Sequence, residues 1–184
     1  LGTIHGRGPQ SPVNLQITML GTGTSHGVPM VGCDCRTCQS TDPRDRRLRC
    51  SILVERTDTD PGEPAFAAAL RSVLVDTSSD LRQQALTHDL RRVDAVLYTH
   101  THADHILGLD ELRRYNHLTH QPMPLYGDAF TLQELRRVFA YAFDPNTPKG
   151  GGIPQLQLWT LGGGPLMLGR QEVVPVPVRH GYRM

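Results

Sequence analysis

The chain has 184 residues, 38% of them hydrophobic and 20% charged, with a formal net charge of +1. That length suits one domain with its own core, and the near-neutral balance leaves no electrostatic footprint for a nucleic acid or a membrane surface. No apolar run approaches a membrane span, and four cysteines without a signal-like apolar start point to a reducing, cytoplasmic setting with metal-bound or free thiols.

Residues 1–12 read as a flexible arm and 13–184 as the domain. Val13, Leu15, Ile17 and Met19 alternate with polar neighbours and predict a half-buried strand. Gly21-Thr22-Gly23-Thr24-Ser25-His26-Gly27 follows. It lacks the Lys-Ser/Thr ending of a P-loop, and its glycines do not fit the dinucleotide fingerprint. A turn set by backbone geometry is the simpler reading, with a phosphate cradle as the alternative. Cys33, Cys35 and Cys38 then place three thiols within six residues, a spacing that suits one structural zinc. Closing that site takes a fourth ligand. Cys50 and His26 are weak candidates, since Cys50 sits in an apolar run over 49–54 that predicts a strand, where cysteine is often simply buried. The stretch Asp42 to Arg49 is rich in arginine, a good phosphate ligand, but mixed charge in a loop is usually solvated surface.

Thr57 to Pro64 predicts a turn or small insertion, and residues 65–70 stay open between helix and strand. Val73-Leu74-Val75 predicts a buried strand ending at Asp76, a carboxylate placed to orient a ligating histidine. Ser78 or Ser79 then caps a helix with Asp80 in its first turn and Leu81, Ala85 and Leu90 inward, while His88 reads as surface.

The next apolar run, 93–97, leads into Thr99-His100-Thr101-His102-Ala103-Asp104-His105-Ile106-Leu107-Gly108. Imidazole and carboxylate are donors for zinc, manganese or iron. The spacing suggests two ions, His100 and His102 on one, Asp104 and His105 on the other. The plain alternative is a histidine-rich turn, and the strand-then-helix context favours a motif. Leu109, Leu112 and Asn116 continue as a helix behind it, with His117 and His120 on the surface. Residues 123–126 predict a strand, and Thr131 with Glu134 a capping box. Leu135, Val138, Phe139 and Ala142 share a helical face, so Phe139, Tyr141 and Phe143 read as core rather than a base-stacking platform. Residues 146–154 predict a flexible loop, a lid or an ordinary connector. Strands are expected over 156–160 and 172–178, the latter an edge strand because of Pro175 and Pro177. It ends at His180, the expected third ligand of the His100/His102 ion.

The run His100-x-His102-x-Asp104-His105 resembles the signature of the metallo-β-lactamase superfamily. Leu20 to Pro29 followed by Cys33-x-Cys35-x-x-Cys38 is similar to its PhnP-like group of phosphodiesterases, a plan that PqqB shares. The resemblance implies an α/β (α+β) fold, a four-layer αβ/βα sandwich incomplete at the C-terminus of this chain. It implies two divalent ions, Zn or Mn, at His100, His102, Asp104, His105 and His180, with Asp104 also catalytic, Asp76 behind them, and one structural zinc at Cys33, Cys35 and Cys38. It further implies a bridging aspartate, a second-ion histidine and a histidine for the structural zinc, none of which has a counterpart in the 184 residues. The expected function is hydrolysis of a small, cyclic-ribose-type phosphodiester by a metal-bridged hydroxide. The alternatives are a non-catalytic metal-binding or PqqB-like accessory protein, and a relative of the tRNA 3′-processing endonucleases, whose tRNA-holding arm is not evident here. The expected partner is the small phosphodiester, without membrane or nucleic acid; a homodimer stays open.

Overall fold

The computed structural model describes residues 14–58, 70–148, 150 and 152–181. The expected arm over 1–12, Val13, and most of the 57–70 region lie outside them. β1 (Leu15–Gly21), β2 (Ser51–Arg56), β3 (Ser72–Val75), β4 (Ala95–Leu97), β5 (Met123–Gly127) and β6 (Leu156–Thr160) form a six-stranded sheet in that order. The first two pairings are antiparallel and the last three parallel. Parallel strands need crossovers. These are α1 (Leu81–Thr87) between β3 and β4, then α2 (Ala103–Ile106) with α3 (Leu112–Thr119) between β4 and β5. α4 (Ala129–Val138) and α5 (Ala140–Phe143) link β5 to β6. A hairpin of β7 (Leu166–Leu168) and β8 (Gln171–Val173) follows.

Register explains the core. Leu53, Leu74, Val96, Leu125 and Leu158 stand side by side across five strands. They pack with Leu81, Leu112, Tyr115, Leu132 and Leu135 from the helices, so this face is covered. The opposite face carries its own apolar row, Met19, Ile52, Val75, Leu97, Tyr126 and Trp159. Its ends stay open, Met19 at 52% and Trp159 at 47% exposure, and Ile17 on the same side of β1 reaches 62%. β1 is therefore a strand as its alternation predicts, but its apolar side faces outward. Of the four expected layers, the described residues build the sheet, one helical layer and the hairpin.

Other details depart from the sequence reading. α4 is capped by Asp128, whose Oδ1 accepts the Thr131 N–H at 2.6 Å, so the expected Thr131/Glu134 box does not form. Aspartate at the cap position wins because its short carboxylate reaches the third amide of the helix; Thr131 is inside the helix and buried, and Val138 is exposed. Ser78 does not cap α1, since the residue before it is Asp80, which is tied to Arg49 instead. Cys50 is exposed and precedes β2. The 172–178 strand shrinks to Gln171–Val173, because Pro175 and Pro177 lack the N–H a ladder needs.

Candidate metal centre

Two neighbouring parallel strands aim the motif. β3 and β4 are in register at Val75↔Leu97, so Asp76 and the residues after Tyr98 leave the sheet from the same carboxyl edge. Ligand groups in parallel sheets belong at that edge. Asp76 turns with φ of 60°, a left-handed conformation that aspartate tolerates. Its carboxylate, buried with the residue at 4% exposure, meets the motif. Asp104 and His105 precede α3, as expected, and themselves lie within the single turn of α2. Thr77 fastens that turn, donating its hydroxyl proton to Ile106 O at 3.1 Å and accepting the Gly108 N–H on its own carbonyl at 3.0 Å. Gly108 is needed here, since a Cβ would lie 2.0 Å from Ser78 O.

Three imidazoles converge. His102 Nδ1 lies 3.0 Å from His100 Nε2 and 3.2 Å from His180 Nε2. Tetrahedral zinc with bonds of about 2.0–2.1 Å separates its nitrogen ligands by about 3.3 Å, so this trio has the spacing of a set closing on one cation. His180 reaches it from the end of the irregular 174–179 stretch, not from a strand end. A second pair stands beside the trio: His105 Nε2 lies 3.4 Å from Asp104 Oδ2, and the His100 and His105 ring centroids are 4.1 Å apart. Asp76, His100 and His105 also lie close enough for one ion. The carboxylate is already committed, however. Oδ1 accepts the Thr99 N–H at 2.8 Å, and Oδ2 accepts the Thr99 hydroxyl and His105 Nδ1, each at 2.7 Å. Both Asp76 oxygens are thus occupied by Thr99 and His105, an arrangement in which a carboxylate can orient a neighbouring imidazole.

The environment separates the imidazoles. The Asp76 hydrogen bond raises the His105 pKa above the ordinary histidine value, against a smaller effect of burial. Burial lowers that of His100, helped by the positive charge His105 can carry.

The thiols form a separate group, with Cys33, Cys35 and Cys38 sulfurs all within 4.8 Å of one another. The Cys38 backbone N–H, then the Cys33 thiol, pull the Cys35 pKa down to about 7, so a thiolate is available near neutrality. Among the described residues no fourth ligand joins them, neither His26 nor Cys50. The arginine-rich segment is largely structural. Arg49 bonds Asp80 at 2.7 Å and the Ser25 carbonyl at 2.8 Å, tying the glycine-rich loop to α1. His88, His117 and His120 are exposed, as expected. Two hollows of about 330 and 380 Å³ beside His117 and Gln155 touch none of the motif residues. The sequence reading did not single out Thr99, which bonds both Asp76 and His100; its place directly before His100 is the signal that could have marked it.

Comparison with known proteins follows the same residues. A family model described as a β-lactamase superfamily domain matches residues 71–184. A solved structure of a diphosphatase from the PhnP family is 38% identical, with a TM-score of 0.74 over 92% of this chain and 59% of that one. A curated octanoyltransferase of Porphyromonas gingivalis is 38% identical over 91% of this chain and 31% of its own length. Coenzyme PQQ synthesis protein B of Methylobacterium nodulans is 32% identical over 68% of this chain and 42% of its length. The chain spans less than two thirds of each of these proteins. The superfamily model covers more than half of the chain, including every residue of the histidine motif, and the chain belongs to the metallo-β-lactamase superfamily, in its PhnP-like group.

Proposed function

We propose that this chain carries the metal-binding part of a metallo-hydrolase acting on a small phosphodiester. The observation that supports it most is the pair of donor groups at one sheet edge, the imidazole trio and the adjoining Asp104/His105 pair. In this reading His100, His102 and His180 hold one divalent ion, Zn or Mn, Asp104 and His105 hold a second, and the three thiols hold a structural zinc. Two such ions supply a nucleophile at neutral pH and neutralise charge on attacking and leaving oxygens. The chain's own residues do the rest. Asp76 and Thr99 keep His105 and His100 aimed, and in this reading Asp104, beside His105, is also the catalytic carboxylate. A diphosphatase among the solved relatives supports chemistry at phosphorus. The octanoyltransferase name belongs to a protein of which this chain matches only 31%.

Similarity to a coenzyme-synthesis protein favours a second reading, a metal-loaded protein without turnover. Hydrolysis of bis(p-nitrophenyl) phosphate separates the two. The proposed enzyme turns it over when manganese or zinc is added and loses at least about a hundredfold in rate in His102→Ala, since removing a ligand should cost no less than the about ten- to a hundredfold lost with a ligand's hydrogen-bonding partner. Metal-loaded protein with no phosphodiesterase activity would establish the second reading.

A further inference from the structure

The hydrogen bonds around Asp76 reach both histidine groups. We propose that the Thr99 hydroxyl is a positioning group for His100, and that through it one carboxylate, Asp76, sets the ligating nitrogen in both groups and couples them. The inference rests on the metal-binding reading above.

The directions of the bonds follow from counting protons. Oδ1 of Asp76 faces a backbone N–H, which can only donate. Oδ2 faces two partners, the Thr99 hydroxyl and His105 Nδ1, each at 2.7 Å. A proton on Oδ2 could serve only one of them, whereas an acceptor oxygen satisfies both. The Thr99 hydroxyl therefore spends its single proton on Asp76. Its oxygen, 2.9 Å from His100 Nδ1, can then only accept, so that nitrogen carries the hydrogen. His105 Nδ1 carries its hydrogen for the same reason. In its neutral form each ring consequently presents Nε2 as the lone pair. His100 Nε2 is the atom 3.0 Å from His102 Nδ1, and His105 Nε2 is the atom 3.4 Å from Asp104. One buried anion thus selects the tautomer of one imidazole in each group, directly for His105 and through a hydroxyl for His100. Nothing in the spacing of the motif requires this. It comes from Thr99 standing over a carboxylate 23 positions earlier.

Three variants test it. Thr99→Val removes the hydroxyl but keeps the backbone N–H to Oδ1, and Thr99 is exposed, so the fold tolerates the change. Thr99→Ser restores the hydroxyl. Asp76→Asn keeps the shape and the left-handed turn. Imidazole ¹⁵N NMR on chelator-treated protein reads the tautomers without any ion. The wild type and Thr99→Ser should hold His100 with hydrogen on Nδ1, Thr99→Val should lose that preference while His105 keeps its own, and Asp76→Asn should disturb both. Stepwise zinc titration against a chromophoric chelator gives the second readout. Thr99→Val should weaken one of the two histidine-dependent steps about tenfold, Asp76→Asn both steps by about ten- to a hundredfold, and neither the thiol-bound zinc. A His100 ring protonated on Nε2 in the wild type, or an unchanged His100 in Thr99→Val, overturns the proposal. So do equal losses at both steps in Thr99→Val. Absence of histidine-dependent zinc uptake by the wild type overturns the metal reading and the coupling with it, while the NMR shows whether the hydroxyl still positions His100.

Discussion

At the scale of single residues, the centre sorts similar imidazoles by their neighbours. His105 owes its raised pKa chiefly to the Asp76 hydrogen bond, and His100 its lowered one chiefly to burial. The signs of the stability effects oppose each other. The raised His105 pKa stabilises the ion-free fold below the unfolded value of about 6.5 and loses that effect as pH rises through the folded value. The lowered His100 pKa stabilises above the unfolded value and loses its effect as pH falls through the folded one. An NMR titration of chelator-treated protein should therefore give His105 a midpoint above that of His100; the reverse order would refute the assigned environments. The histidine motif was readable because its ligands lie within six positions. Asp76 was readable as a carboxylate at a strand end. The Thr99 hydroxyl was not, because its role depends on the register that sets Val75 beside Leu97.

At the scale of elements, the short turn of α2 is held from beneath by the segment that leaves β3. Thr77 grips it at Ile106 and Gly108, and Tyr98, 2.9 Å from the Thr77 hydroxyl, completes the buried contact. Gly108→Ala drives a methyl group into Ser78 O and lifts the turn off that segment. It should destabilise the protein by about 3 kcal/mol, at the upper end for an overpacked site, with a matching fall in the urea midpoint. A midpoint unchanged from wild type would mean that the turn is not anchored there. Sequence patterns located the helices but not their caps. Thr131 and Glu134 have box spacing, yet Asp128 reaches the amide first. The proline pair near 175–177 was seen as the mark of an edge strand, while the missing N–H groups end the ladder altogether.

At the scale of the molecule, the sheet is apolar on both faces and has helices on one. Alternation in β1 was legible, but periodicity does not say which side of a strand is covered. Ile17, Met19 and Trp159, all about half exposed or more, end or flank an apolar row that crosses six strands. Contiguous apolar surface of that kind binds hydrophobic dyes and partners. The 184-residue chain should enhance the fluorescence of anilinonaphthalene sulfonate, and Ile17→Lys should reduce the signal at unchanged secondary structure. Equal fluorescence in the two would show that the row is covered in solution. No helix among the described residues is long and apolar enough to cross a membrane. The tether before His180 has a different consequence. Residues 174–179 form no strand, and all but Pro175 are exposed. If the trio captures an ion, two of its nitrogens come from the sheet edge and the third from a strap that lies outside the sheet. The residence time of that ion is then governed by how often the strap lets go, and stiffening it, far from any donor atom, would prolong the stay.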